Sequence, residues 1–275
     1  MVLFLLASSL FAQQARGGHL PAGEEVTIWF FDVGQGDAIL IDAGEDQMLI
    51  DGGGNLSVME KLGAVLPPWD DTIEYVVNTH PHADHLVGLV DVLENYSVEH
   101  ILVSGEEFSS AVTHAFSEAS TLDQIITKQG DSYQLGSNIT LNILWPEASL
   151  EGEYLSDPND GSIVVQLNHG EIQMVFMGDA GLAQENEMRS VLGDVDVLKV
   201  GHHGSRTSTG SSFLDIIDPE VAVISAGEGN SYGHPHEIIL DRLERHGIET
   251  LRTDLHGDIR IVSDGEKIEI KLFEL

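Results

Sequence analysis

The 275-residue sequence contains no cysteine. Disulfides and thiolate metal sites are therefore excluded, and any metal must be held by His, Asp or Glu. Basic residues are scarce: 12 Lys and Arg stand against 46 Asp and Glu, a formal charge of −34. A surface of that sign repels nucleic acid at low ionic strength. The carboxylates are spread along the whole chain rather than gathered in a tail, which suits a halophilic protein kept soluble in brine. At 1 M salt the Debye length is about 3 Å, so repulsion of a phosphodiester is largely screened there.

No hydrophobic run is long enough to span a bilayer as a helix, which takes roughly 20 residues. The apolar stretch from Val2 to Ala12 instead has the form of a secretory signal, with cleavage expected after Ala12 or Ala15. A positive region ahead of it is missing, so a truncated start and an uncleaved anchor with membrane association through residues 2–12 are the other readings. A secreted or extracytoplasmic surface location is expected, with a cytoplasmic one as the alternative. Internal repeats and low-complexity segments are also absent. Residues 1–24 read as this apolar segment and a linker, and 25–275 as one α/β domain with an ample core.

What is present is concentrated in His80-Pro81-His82-Ala83-Asp84-His85, three imidazoles and a carboxylate within six residues. Tyr75 to Val77 reads as the end of a buried strand and Val87 to Tyr96 as a helix, so His80 to His85 are expected in the turn between them. Such a turn lets side chains converge while helix amides face the pocket. These nitrogen and oxygen donors suit Zn²⁺, Mn²⁺ or Fe²⁺. A surface loop that happens to be rich in histidine is the bland alternative, and the density and flanking pattern argue against it.

Around this run, Val26 to Phe31, Ala38 to Ile41 and Met48 to Ile50 read as a strand meander. Helices are expected at Leu56 to Leu66, Ser109 to Ala119, Leu182 to Leu192, Ser211 to Ile217, and from Pro235 to about His246. Ser132 to Leu135 and Ile139 to Trp145 read as a hairpin. Further strands are expected at His100 to Val103, Ser162 to Leu167, Ile172 to Met177, Val195 to Val200, Val221 to Ser225, Glu249 to Arg252, Asp258 to Val262 and Lys267 to Leu272. Asp51 follows directly on such a strand, and Asp179 and the pair His202-His203 follow after a single glycine. Adjacent imidazoles can divide labour, one on metal and one on a phosphoryl oxygen or leaving group. His114 reads as a solvated helix residue, and His169, in a hairpin turn, as a poorer ligand.

The HxHxDH run resembles the signature of the metallo-β-lactamase-fold hydrolases. Phe31-Asp32-Val33-Gly34-Gln35-Gly36-Asp37-Ala38, Asn159-Asp160-Gly161-Ser162, Gly178-Asp179 and Lys199-Val200-Gly201-His202-His203-Gly204-Ser205 narrow the likeness to the hydrolase domain of ComEC-type competence proteins. It runs from about Val26 to about Asp264 and lacks those proteins' large membrane channel. The resemblance implies a four-layer αββα sandwich holding two divalent ions, Zn or Mn. His80 and His82 would hold one ion, and Asp84, His85 and one of His202 and His203 the other. Asp179 would bridge them, and Asp51 would orient a ligand from behind. A hydroxide held between the ions would attack phosphorus.

The family's usual histidine between the HxHxDH run and the later Asp is replaced here by Asn159-Asp160-Gly161-Ser162. Asp160 is expected as the missing ligand, or Asn159 and Ser162 as phosphate binders, with plain turn residues as the alternative. Ser205, Asn230, Tyr232 and His234 are further expected substrate contacts. The expected activity is that of a phosphodiesterase or nuclease on DNA or a smaller diester such as a phosphocholine ester. Hydrolysis of a non-phosphate ester, thioester or amide is the enzymatic alternative. Metal or ligand binding without turnover is the non-enzymatic one.

Overall fold

The computed structural model describes residues 25–273 and 275. The expected signal or anchor, with its membrane association, lies outside the described residues. The chain opens with the meander β1 (Val26–Phe30), β2 (Ile39–Asp42) and β3 (Gln47–Ile50). It continues through α1 (Ser57–Val65), β4 (Thr72–Val77), α2 (Ala83–Asn95), β5 (Ser97–Val103), α3 (Ala111–Ala119) and β6 (Gln124–Ile126). A second run comprises β7 (Ser132–Leu135), β8 (Ile139–Trp145), β9 (Val164–His169), β10 (Ile172–Phe176), α4 (Leu182–Met188), β11 (Val197–Lys199), α5 (Ser211–Ile217), β12 (Val221–Ile224), α6 (Glu237–His246) and β13 (Glu249–Arg252). The short α7 (Thr253–His256) then leads to β14 (Asp258–Ser263) and β15 (Ile268–Phe273), which return to the first sheet.

The strands form two sheets, ordered β15-β14-β1-β2-β3-β4-β5-β6 and β13-β12-β11-β10-β9-β8-β7. Alternation along single strands assigns their faces, because successive side chains point to opposite sides. In β1, Ile28 and Phe30 enter the core between the sheets, whereas Trp29 packs toward the helices. In β10, Met174 and Phe176 face the same inter-sheet core and Val175 faces outward. One outer core joins the first sheet to α1, α2 and α3, and another joins the second sheet to α4, α5 and α6. Three apolar interfaces thus hold four layers, helix-sheet-sheet-helix, as an αββα sandwich.

Each sheet changes from antiparallel to parallel pairing once, at β3/β4 and at β10/β11. The ends of β3, β4, β10, β11 and β12 carry Asp51, His80, Asp179, His202-His203 and Ser225 respectively. That placement follows the rule that sites in open α/β sheets gather at the carboxyl ends of parallel strands.

Several expected boundaries move. Helix α2 begins at Ala83, with His82 as its N-cap, so Asp84 and His85 sit in its first turn rather than in a loop. Asp84 is favoured there by the helix dipole. Pro235 precedes α6, whose N-cap is His236, so the helix starts two residues beyond the expected point. Helix α4 stops at Met188 rather than Leu192, β9 begins at Val164 rather than Ser162, and β6 and α7 were not anticipated.

Candidate metal centre

The loop after β1 must pass close beneath the start of α2. Gly36, at φ 126°, makes this possible, since a Cβ there would lie 1.9 Å from the Asp84 carbonyl oxygen. A second close approach is secured by Gly88, where a Cβ would lie 2.0 Å from the Gly52 carbonyl oxygen. These contacts clamp the β3 end and the β1–β2 loop against α2, so Asp37, Asp51 and His85 share one buried space.

The other wall comes from strained backbone. His202 and His203 both adopt left-handed conformations, at φ 48° and 53°, and Asp51 does so at φ 60°. Non-glycine residues held there cost of order 1–3 kcal/mol each, and such strain concentrates at functional sites. The tight turn aims the two imidazoles differently: His203 is buried, while the His202 side chain is 25% exposed.

Hydrogen bonding settles which ring nitrogens are free. Asp51 Oδ1 accepts from the Thr79 amide at 2.8 Å, and Asp51 Oδ2 from Thr79 Oγ1 at 2.7 Å. His85 Nδ1 lies 2.8 Å from Asp51 Oδ2 and therefore donates to it. The Thr79 hydroxyl, its proton committed to Asp51, accepts from His80 Nδ1 at 3.1 Å. His203 Nδ1 donates to the Ser225 carbonyl at 3.0 Å. In neutral rings this leaves Nε2 of His80, His85 and His203 as bare acceptors.

Those acceptors converge. His85 Nε2 and His203 Nε2 are 3.3 Å apart, and neither can donate to the other. His80 Nε2 lies 3.1 Å from His82 Nδ1, which can donate to it. Asp179, 2% exposed, reaches both groups: its Oδ2 is 3.7 Å from His80 Nε2, and its Oδ1 is 3.5 Å from His85 Nε2 and 3.4 Å from His203 Nε2. Asp179 Oδ1 has no hydrogen-bond partner despite its burial. Acceptors crowded against acceptors call for cations between them, and the donors fall into two sets, His80-His82-Asp179 and Asp84-His85-His203. The residues present fit two divalent ions of the kind that take imidazole and carboxylate ligands.

The electrostatics agree. Burial opposes charge on His85, but Asp179 and Asp51 outweigh it and hold its pKa well above the ordinary histidine value. Burial is likewise outweighed at His203 by Asp179 and Asp37, which push it up to about 9. Asp179 is held well below the usual carboxylate range against its burial by His203 and His85. At His80 burial wins, aided by His85, and the pKa falls well below 6.5. A field that draws protons onto rings 3.3 Å apart will draw divalent cations more strongly, with metal binding releasing those protons.

Of the expected substrate contacts, Asn159, Tyr232 and His234 line a cavity of about 340 Å³ above the ligands, together with Gln35, His82, Ala83, Asp84, Asp179, His202 and His203. Tyr232 stacks on His234 with ring centroids 5.7 Å apart, and Phe108 meets His82 edge-on at 5.9 Å. Asp160 is not brought to either donor set; it is exposed, and its Oδ1 accepts from Gln184 Nε2 at 3.0 Å. Ser162 is buried and its Oγ accepts from the Asp179 amide at 3.2 Å, bracing a ligand rather than facing the cavity. Ser205 Oγ accepts from Thr207 Oγ1 at 3.0 Å. The Asn230 amide donates to the Gly227 and His234 carbonyls and accepts from the Tyr232 and His234 amides, which pins its own loop.

Three site residues were not singled out from sequence. Thr79 carried no signal beyond its neighbours, and Asp37 stood in a motif of the resemblance without a role of its own. Lys199 did: a lysine inside the apolar run Val197-Leu198-Lys199-Val200 is fully buried and must have a partner, which proves to be Asp37 at 2.7 Å.

Fold and donor sets together define a metal-dependent hydrolase. The chain belongs to the metallo-β-lactamase superfamily, whose family model matches residues 31–228. It is 32% identical over 257 residues to ComE operon protein 3 of Bacillus subtilis, covering 83% of this chain and 32% of that protein. It is 29% identical over 253 residues to Recombination protein 2 of Haemophilus influenzae, covering 87% and 29% respectively. The chain thus spans about a third of the length of the curated relatives it matches. Among solved structures, Igni18, a metallo hydrolase from Ignicoccus hospitalis, superposes with a TM-score of 0.55 at 13% identity, covering 90% of this chain and 99% of that one. CmlA, a diiron β-hydroxylase from Streptomyces venezuelae, gives 0.56 at 17% identity, covering 89% and 55%. At these identities the likeness to solved structures shows the fold.

Proposed function

We propose that the chain is a phosphodiesterase acting on DNA, with two Zn or Mn ions. The observation that carries this reading is the shared carboxylate of Asp179 between two donor sets beneath one open cavity. Two divalent ions held by His80, His82, Asp84, His85, His203 and Asp179 would supply Lewis acidity and a water of lowered pKa. His203 orients its Nε2 inward through Ser225, while His202, on the cavity side, holds a phosphoryl oxygen or protonates the leaving oxygen. Recombination protein 2 bears a name that speaks of recombination, which favours DNA among diesters. No Lys or Arg lines the cavity, but Tyr232 does, and Phe108 packs edge-on against His82, which also lines it. Aromatic faces stack unpaired bases irrespective of sequence, which favours a single strand over a duplex.

A cleavage screen in molar KCl tests the proposal, using single-stranded DNA, double-stranded DNA, RNA, a phosphocholine ester and a thioester. Metal-dependent cleavage of single-stranded DNA is the expected result; a metallated protein that cleaves only the thioester would overturn it. The charge of −34 further implies self-repulsion in dilute buffer. The melting temperature should rise markedly from dilute buffer to molar KCl, and a flat or falling trend would remove the reading of salt adaptation.

A further inference from the structure

Lys199 is the one basic side chain among the described residues that is fully enclosed, and it lies beside the donor sets. Its Nζ donates to Asp37 Oδ2 at 2.7 Å and to the Val200 carbonyl at 3.0 Å. The other oxygen of Asp37, Oδ1, is buried, makes no hydrogen bond, and lies 3.4 Å from His203 Nδ1. Asp37 is also close enough to the centre to be a ligand: with His85 and Asp179 it offers donor atoms all within 4.8 Å of one another. Asp37 is therefore a possible ligand that the two donor sets do not use, and it is tied to a lysine.

We propose that Lys199 is a positioning residue that withholds Asp37 from the metal and holds it as a brace behind His203. Lys199 balances the Asp37 charge, so the carboxylate can remain ionised without a second cation. Asp37 Oδ1 then lies alongside the Nδ1 edge of His203, where Ser225 already fixes the proton. The pair also limits the negative charge around the ions. With Asp37 paired, the site keeps a balance suited to an anionic substrate; with Asp37 drawn onto a metal, one more negative ligand would offset that attraction. A buried ion pair adds little stability over well-packed apolar residues, so its presence here is better explained by what it does for the centre.

The test uses the whole chain, stripped of metal and titrated with Co²⁺, following ligand-field absorption, stoichiometry and thermal unfolding. Variants are Lys199→Met, Asp37→Asn, and the double variant carrying both. Lys199→Met should free Asp37 to coordinate, changing the Co²⁺ spectrum toward a higher coordination number. In the double variant the freed ligand is gone, so the spectrum should return to that of the wild type. Its affinity for the ion at His203 should still fall by about 10–100-fold, as for other partners that orient a metal ligand. Should Lys199→Met fail to fold, Lys199→Gln, whose amide can still donate to Asp37 without balancing its charge, replaces it with the same expected and contrary results, while the double variant, which leaves no charge unpaired, decides the bracing role. A folded double variant with wild-type affinity for both ions would show the pair to be structural only. A folded Lys199→Met with the wild-type spectrum would overturn the withholding role. Neither readout depends on which substrate is cleaved.

Discussion

Two fully buried histidines at opposite ends of the second sheet make a natural comparison. His169, at the β9–β10 turn, meets Ser263 Oγ with Nδ1 at 2.9 Å and the Asn138 side-chain amide with Nε2 at 3.1 Å. His85, near the far end of β10, has a carboxylate on Nδ1 and bare acceptors facing Nε2. Both are shielded from water, yet burial pulls the His169 pKa down, while at His85 Asp179 and Asp51 overcome burial and raise it. Burial alone therefore makes a neutral pin with every hydrogen bond satisfied. Burial among unpartnered acceptors and carboxylates makes a site that needs a cation.

The largest way to break this contrast is within the centre. His203→Ala should remove one ion per chain and take hydrolysis with it, whereas His202→Ala should keep both ions and lose about 10²–10⁴-fold in rate, the usual worth of acid–base assistance. Metal content and diester hydrolysis measured on both variants check this; equal metal loss in the two would erase the distinction drawn from their burial.

At the other end, His169→Ala should leave metal content unchanged but cost about 1–3 kcal/mol of stability, since Asn138 and Ser263 would lose a buried partner. The pH dependence has a definite sign. The folded pKa lies below the ordinary 6.5, so the unfolded chain binds more protons in between and stability falls as pH drops through that window. Denaturant melts of wild type and His169→Gln between pH 7 and pH 5 should show a component of acid loss present only in the wild type.

Glu106 is the mirror image of His169. Both of its carboxylate oxygens are buried without partners, and burial, with Asp157 and Asp160 nearby, raises its pKa to about 8 from 4.5. The folded state binds the extra proton between those values, so stability is lost as pH rises across them. Glu106→Gln should therefore melt higher than wild type at pH 8.5, by about 2–4 °C for each kcal/mol recovered, and equally near pH 4.5. A difference that persists at low pH would point to packing rather than charge.

This contrast also explains what could be read from sequence. The HxHxDH ligands were legible because a strand end and one helix turn bring near neighbours together, and the strand alternation exposed most of both sheets. Asp37 and Lys199, 162 positions apart, meet only because β1 and β11 end at the same edge; the lone trace was a charge in an apolar strand. Ser162 and Asn230 have the side chains of substrate contacts because they can donate and accept, and the fold commits that capacity to Asp179 and to the 227–234 loop. The early start of α2 is hidden in the sequence because closely spaced imidazoles resemble a loop, although Asp84 in a first helix turn is electrostatically favourable.

The most direct test of the account is to strip the protein of metal and add back Mn²⁺ or Zn²⁺ while following bound ions and bis-p-nitrophenyl phosphate hydrolysis together. The account predicts that wild type takes up two ions per chain, with activity appearing as the centre fills. Asp179→Ala, lacking the carboxylate that reaches both donor sets, should bind neither ion tightly and stay inactive. Full hydrolytic activity in metal-free wild type, or an Asp179→Ala variant that retains two ions and normal turnover, would contradict it.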